Sequence, residues 1–121
     1  GLGDVYKRQE YLAVTPDGEL YPCHQFVGNP DFRIGTIYEP DKLNEELRTK
    51  FAKQNVYSRS GCRDCFARFY CSGGCSAANF NKNGDISKPY ALGCDIERKR
   101  VECAIALKAT LAVRAEEEAQ A

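Results

Sequence analysis

The chain has 121 residues, with 17 Lys and Arg balanced by 17 Asp and Glu, and 43% hydrophobic residues. That length suits one domain with a modest core, and the neutral balance excludes the broad basic footprint of a nucleic-acid binder. No apolar run is long enough to span a membrane, and no export or lipidation signal is visible, which makes the cytoplasm the expected location.

In chain order, the opening "GLGDVYKRQ" follows no structural period, and residues 1–9 read as a non-native tail outside the fold. The domain proper is expected over residues 10–121. Two β-rich runs, Tyr11–Thr15 and Glu19–Cys23, flank "PDG", a turn in which Pro presets φ and Gly accepts positive φ. This predicts a β-hairpin, with "FRIGTIYE" (32–39) as a third strand. "DKLNEELRTKFAKQ" then spaces Leu43, Leu47 and Phe51 by four residues, predicting an amphipathic helix capped by Asp41. Residues 56–94 carry five cysteines and little periodicity, so they are expected to depend on something other than their own apolar burial for order. From Cys94 a long helix is predicted, with Ile96, Cys103, Leu107 and Leu111 on one apolar face beside Val101 and Ile105. Its acidic run Glu116–Glu118 opposes the helix dipole and should fray. The fold class is α+β: a small hairpin, a helix, a cysteine-rich metal-binding loop region and a long C-terminal helix.

The chemistry lies in "GCRDCFARFYCSGGC", residues 61–75, with the spacing C-x2-C-x5-C-x3-C. Seven cysteines cannot all pair within one chain, and without an export signal reduced thiols are expected. Clustered reduced thiols hold metal. A structural zinc ion wants four ligands, yet Cys23, Cys62, Cys65, Cys71, Cys75 and Cys94 all fall in loops or at strand ends. Iron–sulfur clusters also take four cysteines each, and Gly-rich segments such as "CSGGC" let backbone N–H groups approach the sulfides. Spacing alone leaves cluster and zinc open. Cys103, on the apolar helix face, reads as a buried small hydrophobe, and His24 as an exposed neighbour of Cys23. Phe66, Phe69 and Tyr70 read as a shell that keeps water off the metal, and Arg59, Arg63 and Arg68 as solvated charges. The absence of Met suggests a fragment.

The array "CRDCFARFYCSGGC" with the later Cys94, preceded by the G-x4-C element of Gly18 and Cys23 in "GELYPC", resembles the SPASM domain of radical S-adenosylmethionine enzymes. The resemblance runs from residue 10 to about residue 103. It implies two auxiliary 4Fe–4S clusters. Cys62, Cys65, Cys71 and Cys94 would ligate the second completely, and Cys23 and Cys75 the first. The family's early cysteine, expected upstream of Gly18, has no counterpart here, so the first set is incomplete. "YPCHQFVG" and "CSGGCSAANF" are more narrowly similar to maturases that form thioethers in six-cysteine (SCIFF-type) ribosomal peptides. The resemblance implies a parent enzyme that cleaves S-adenosylmethionine in a barrel whose C-x3-C-x2-C motif this chain lacks, so no activity is expected from this chain alone. The partner would be a precursor peptide, with no nucleic acid or membrane involved. The alternatives are a SPASM domain of another radical enzyme, such as a sulfatase-activating one, and a zinc-binding interaction module.

Overall fold

The computed structural model describes residues 11–120. The expected tail at 1–9 lies outside the described residues. The chain divides into two compact units, 1–59 and 60–121. Among the described residues no helix is long and apolar enough to cross a membrane.

The first unit carries a three-stranded antiparallel sheet in the order β1 (Ala13–Val14), β2 (Glu19–Tyr21), β3 (Gly35–Thr36), with Val14 opposite Leu20 and Leu20 opposite Gly35. The strands are shorter than the sequence pattern suggests. Residues 22–23 leave the sheet for a 3-10 turn at His24–Phe26, and the start of the expected third strand is a second 3-10 turn, Pro30–Phe32. The "PDG" hairpin forms as predicted. Gly18 N–H donates to the Thr15 carbonyl at 2.9 Å, and Thr15 Oγ1 accepts from Glu19 N–H at 3.0 Å. Gly18 is required twice over: its φ is +80°, and a Cβ there would sit 2.7 Å from the Tyr38 ring and 2.9 Å from Ile37. Beneath the sheet, Leu20, Tyr21, Phe26, Phe32, Ile34 and Leu47 are buried. Phe26 and Phe32 lie 4.1 Å apart at their centroids, and Phe51 meets both edge-on.

The predicted amphipathic helix is α1, Glu45–Ala52, and its cap is Asn44 rather than Asp41. Asn44 Oδ1 accepts from Leu47 N–H at 2.9 Å, while its own N–H donates to Ile34 O at 2.7 Å. That bond and the extended Leu43 stop the helix from starting earlier, and Asp41 falls in a separate 3-10 turn, Pro40–Lys42. Asn44→Ala is therefore expected to cost about 1 kcal/mol. Asp41→Ala should stay within about 0.5 kcal/mol. Denaturant unfolding of the two variants separates the assignments.

The second unit is helical. Two helices interrupt the segment read as aperiodic: α2, Arg68–Cys71, and α3, Ser76–Asn83. The last helix, α4, spans Ala91–Gln120, starting three residues before Cys94. Ala67, Ala77 and Ile86 are each only 1% exposed, so this segment has a small core of its own. At its centre is Asn79, 2% exposed. Its Nδ2 donates to the carbonyls of Gly73 (3.4 Å) and Ile86 (3.3 Å), and its Oδ1 accepts from Tyr90 N–H at 2.9 Å. One amide thus ties together the glycine turn, the loop after α3 and the start of α4.

The first half of α4 carries the ion pairs Arg98–Asp95, Arg100–Glu97 and Lys99–Glu102. The expected apolar face is covered only at Val101, and Ile96 in the first half is itself exposed. Val101 is buried, but Ile105, Leu107, Leu111 and Val113 are all more than half exposed, and Cys103 is exposed rather than buried. The cause is length: only the first turns of α4 have anything to pack on within the second unit, whose core ends at Val101. The helix also continues through Glu116–Glu118 to Gln120, where fraying was expected.

Candidate metal centre

The second unit contains a cavity of about 420 Å³. Cys62, Cys65, Cys71 and Cys94 line it. The local chain explains how four residues spread over 33 positions meet there. Cys62 and Cys65 close a turn in which Cys65 N–H donates to Cys62 O at 3.2 Å. The bonds from Arg68 N–H to Cys65 O (3.1 Å) and from Cys71 N–H to Ala67 O (2.9 Å) carry the chain through α2 and turn Cys71 back toward the first pair. Cys94 comes from the first turn of α4, its N–H donating to Tyr90 O at 3.0 Å.

Cys75 is not in this wall. Between Cys71 and Cys75, Ser72, Gly73 and Gly74 have φ of 55°, 85° and 74°. Three successive left-handed residues reverse the chain and leave Cys75 exposed at the N-terminal end of α3. Cys23 lies in the other unit, at the N-cap of the His24–Phe26 turn, where its sulfur accepts from Gln25 N–H at 3.3 Å. His24 is exposed, as read from the sequence.

Two expectations about neighbouring side chains are corrected. Phe66, Phe69 and Tyr70 do not shield the cavity: they are 52%, 66% and 76% exposed. A single turn of helix that sends Ala67, Arg68 and Cys71 inward must send Phe69 and Tyr70 out. Arg59 is no solvated charge: it is 3% exposed, with its Nε 3.5 Å from Gln54 Oε1. Arg63 is exposed, as expected.

The cavity's electrostatics favour an anion. Arg68 and Arg98 both line it. Arg68 donates through Nη1 to Arg63 O at 3.0 Å and lies 4.6 Å from the Phe69 centroid, but its buried Nε–H has no acceptor. An orphaned buried donor is costly, and a thiolate or sulfide in the cavity would satisfy it. Burial pushes the Cys94 thiol above its ordinary range; the Arg98 charge opposes this, while Cys71 and Cys65 add to it. Filling the site with metal therefore has to displace a proton from Cys94.

Among the described residues no three His, Cys, Asp or Glu side chains converge on a point where one ion would sit. A single zinc needs its sulfurs about 2.3 Å from one centre. A 4Fe–4S cluster binds each cysteine to a different iron and so needs them spread around a volume. Four cysteines around one cavity, with an unmatched N–H in its wall, fit the cluster. The residues that sequence reasoning missed are Asn79, which frames the cavity, and Arg98, which shares it. Arg98 carried a signal, since it lies four residues after Cys94 on a predicted helix and thus on the same face. Asn79 carried none.

A family model for SPASM, an iron–sulfur cluster-binding domain, matches residues 6–66, just over half of the chain. The match takes in Gly18, Cys23, Cys62 and Cys65, and Cys71, Cys75 and Cys94 lie beyond it. No curated protein matches the chain.

Proposed function

Because the chain belongs to the SPASM family of iron–sulfur cluster-binding domains, we propose that Cys62, Cys65, Cys71 and Cys94 hold one complete 4Fe–4S cluster and that the domain serves a radical S-adenosylmethionine enzyme as its auxiliary cluster module. What supports the ligand set most is the meeting of these four cysteines on one cavity. Cys23 and Cys75 are assigned to another cluster, for which this chain offers an incomplete set. Bound there, the complete cluster would supply one-electron transfer, since four cysteines leave none of its irons open to a substrate thiolate.

The chain's own residues do the rest. The four thiolates would fix the group, and the Arg68 Nε–H would donate to it. Ala67, packed at 1% exposure between Cys65 and Cys71, holds the wall rigid. At a finer level we assign the parent enzyme to the maturases that build thioethers in ribosomal peptides, with a cysteine-containing precursor peptide as substrate. That reading rests on the likeness of "YPCHQFVG" and "CSGGCSAANF" to the SCIFF-type maturases.

Anaerobic reconstitution with ferrous iron and sulfide tests the ligand set. Iron and sulfide in equal amounts, close to one cluster per chain, are expected. One equivalent of zinc bound in preference to iron would establish the interaction-module reading instead. Two full clusters would mean that another group completes the Cys23 and Cys75 set.

A further inference from the structure

Arg98 sits one helical turn beyond Cys94 in α4, so both face the same cavity, across from Cys62, Cys65 and Cys71. Its guanidinium is held by Asp95, Nη2 donating to Asp95 Oδ1 at 2.5 Å, and it shares the cavity wall with Cys65. The other charges at the wall are each fixed by a contact of their own. Glu97 is paired with Arg100 at 2.5 Å, Lys88 leans toward Asp85 at 3.7 Å, and Arg68 is tethered to the Arg63 carbonyl. Arg98 is therefore a cation in the wall that the ligand cysteines line, on a planar fork that stays charged at any working pH.

We propose that Arg98 sets the reduction potential of the cluster in this cavity, holding it higher than the four thiolates alone would. The inference rests on the cluster reading above. A cluster ligated by four thiolates is an anion, and reduction adds one electron to it from a one-electron donor, with no bond made or broken. The guanidinium keeps its proton throughout, so its charge stabilises the more negative, reduced form more than the oxidised one. Asp95 fixes the fork through its bond to Nη2. Arg98 thus tunes the site while occupying no ligand position.

The test reconstitutes the full chain as wild type, R98Q and R98K, then titrates each with dithionite and mediators, following the reduced cluster by electron paramagnetic resonance. All three should load equal iron and sulfide. The midpoint should fall in R98Q and lie between the two in R98K, which keeps the charge but loses the fork. An unchanged midpoint in a fully loaded R98Q overturns the proposal while leaving the cluster reading intact. A wild-type chain that takes up zinc, or no iron, overturns the cluster reading first. Loss of loading in R98Q would assign Arg98 to assembly rather than to potential, which also overturns the proposal.

Discussion

Cys94→Ala is expected to abolish the visible charge-transfer absorbance of the reconstituted protein, and Cys103→Ala to leave it unchanged. Cys94 lines the cavity with three other cysteines, and its removal leaves a three-thiolate set. Cys103 is exposed on the outer part of α4, more than two turns beyond Cys94. A surface change of that kind stays within about 0.5 kcal/mol. Absorbance and iron content of the two variants decide the matter. A bleached Cys103→Ala beside an intact Cys94→Ala would overturn the ligand set, and the match to the family's last cysteine with it.

The second large effect is expected at Asn79. Asn79→Ala removes the side-chain bonds that the carbonyls of Gly73 and Ile86 and the Tyr90 N–H make to it. Loss of these three bonds should cost about 3 kcal/mol. Asn79→Asp should be worse, because it points a carboxylate at two carbonyl oxygens. The loss should appear in hydrogen exchange of the metal-free protein as reduced protection from residue 73 to residue 90, with the first unit unchanged. Equal protection in wild type and Asn79→Ala would show that the framework forms without this amide. In wild type, the small core around Ile86 and the Asn79 bonds should give the segment partial protection before metal arrives, with ligation adding the rest.

The sequence made some of this legible. Pro and Gly in "PDG" impose their φ values locally, so the hairpin could be read from three residues. Cysteine spacing pointed to metal but left zinc and cluster open, and it was the resemblance to the SPASM domain that grouped the four residues that share the cavity. The misreadings have a common cause. Asn44 displaced Asp41 as the cap because a bond to Ile34, ten residues upstream, holds Leu43 extended. Asn79 is polar by composition and central by position, and only contacts with residues six to eleven away reveal it. The stripe through Cys103, Leu107 and Leu111 obeys the helical period, but periodicity cannot say whether anything covers the face. Phe69 and Tyr70 were assigned inward on hydrophobicity alone, and one turn of helix around Ala67 turned them out.

The turn between Cys71 and Cys75 carries one more implication. Through Ser72, Gly73 and Gly74 the backbone runs in the mirror-image half of conformational space. The obstacle to a side chain at Gly74 is not crowding, since a Cβ there would find Asn79 Oδ1 at an ordinary 3.8 Å. It is handedness. An L-alanine at that position opposes the local chirality, whereas a D-alanine, introduced by chemical synthesis, matches it and narrows the unfolded ensemble as well. The short text "CSGGC" thus specifies a stereochemical inversion, achieved with two achiral residues and one tolerant serine, that sends two cysteines four positions apart into different surroundings.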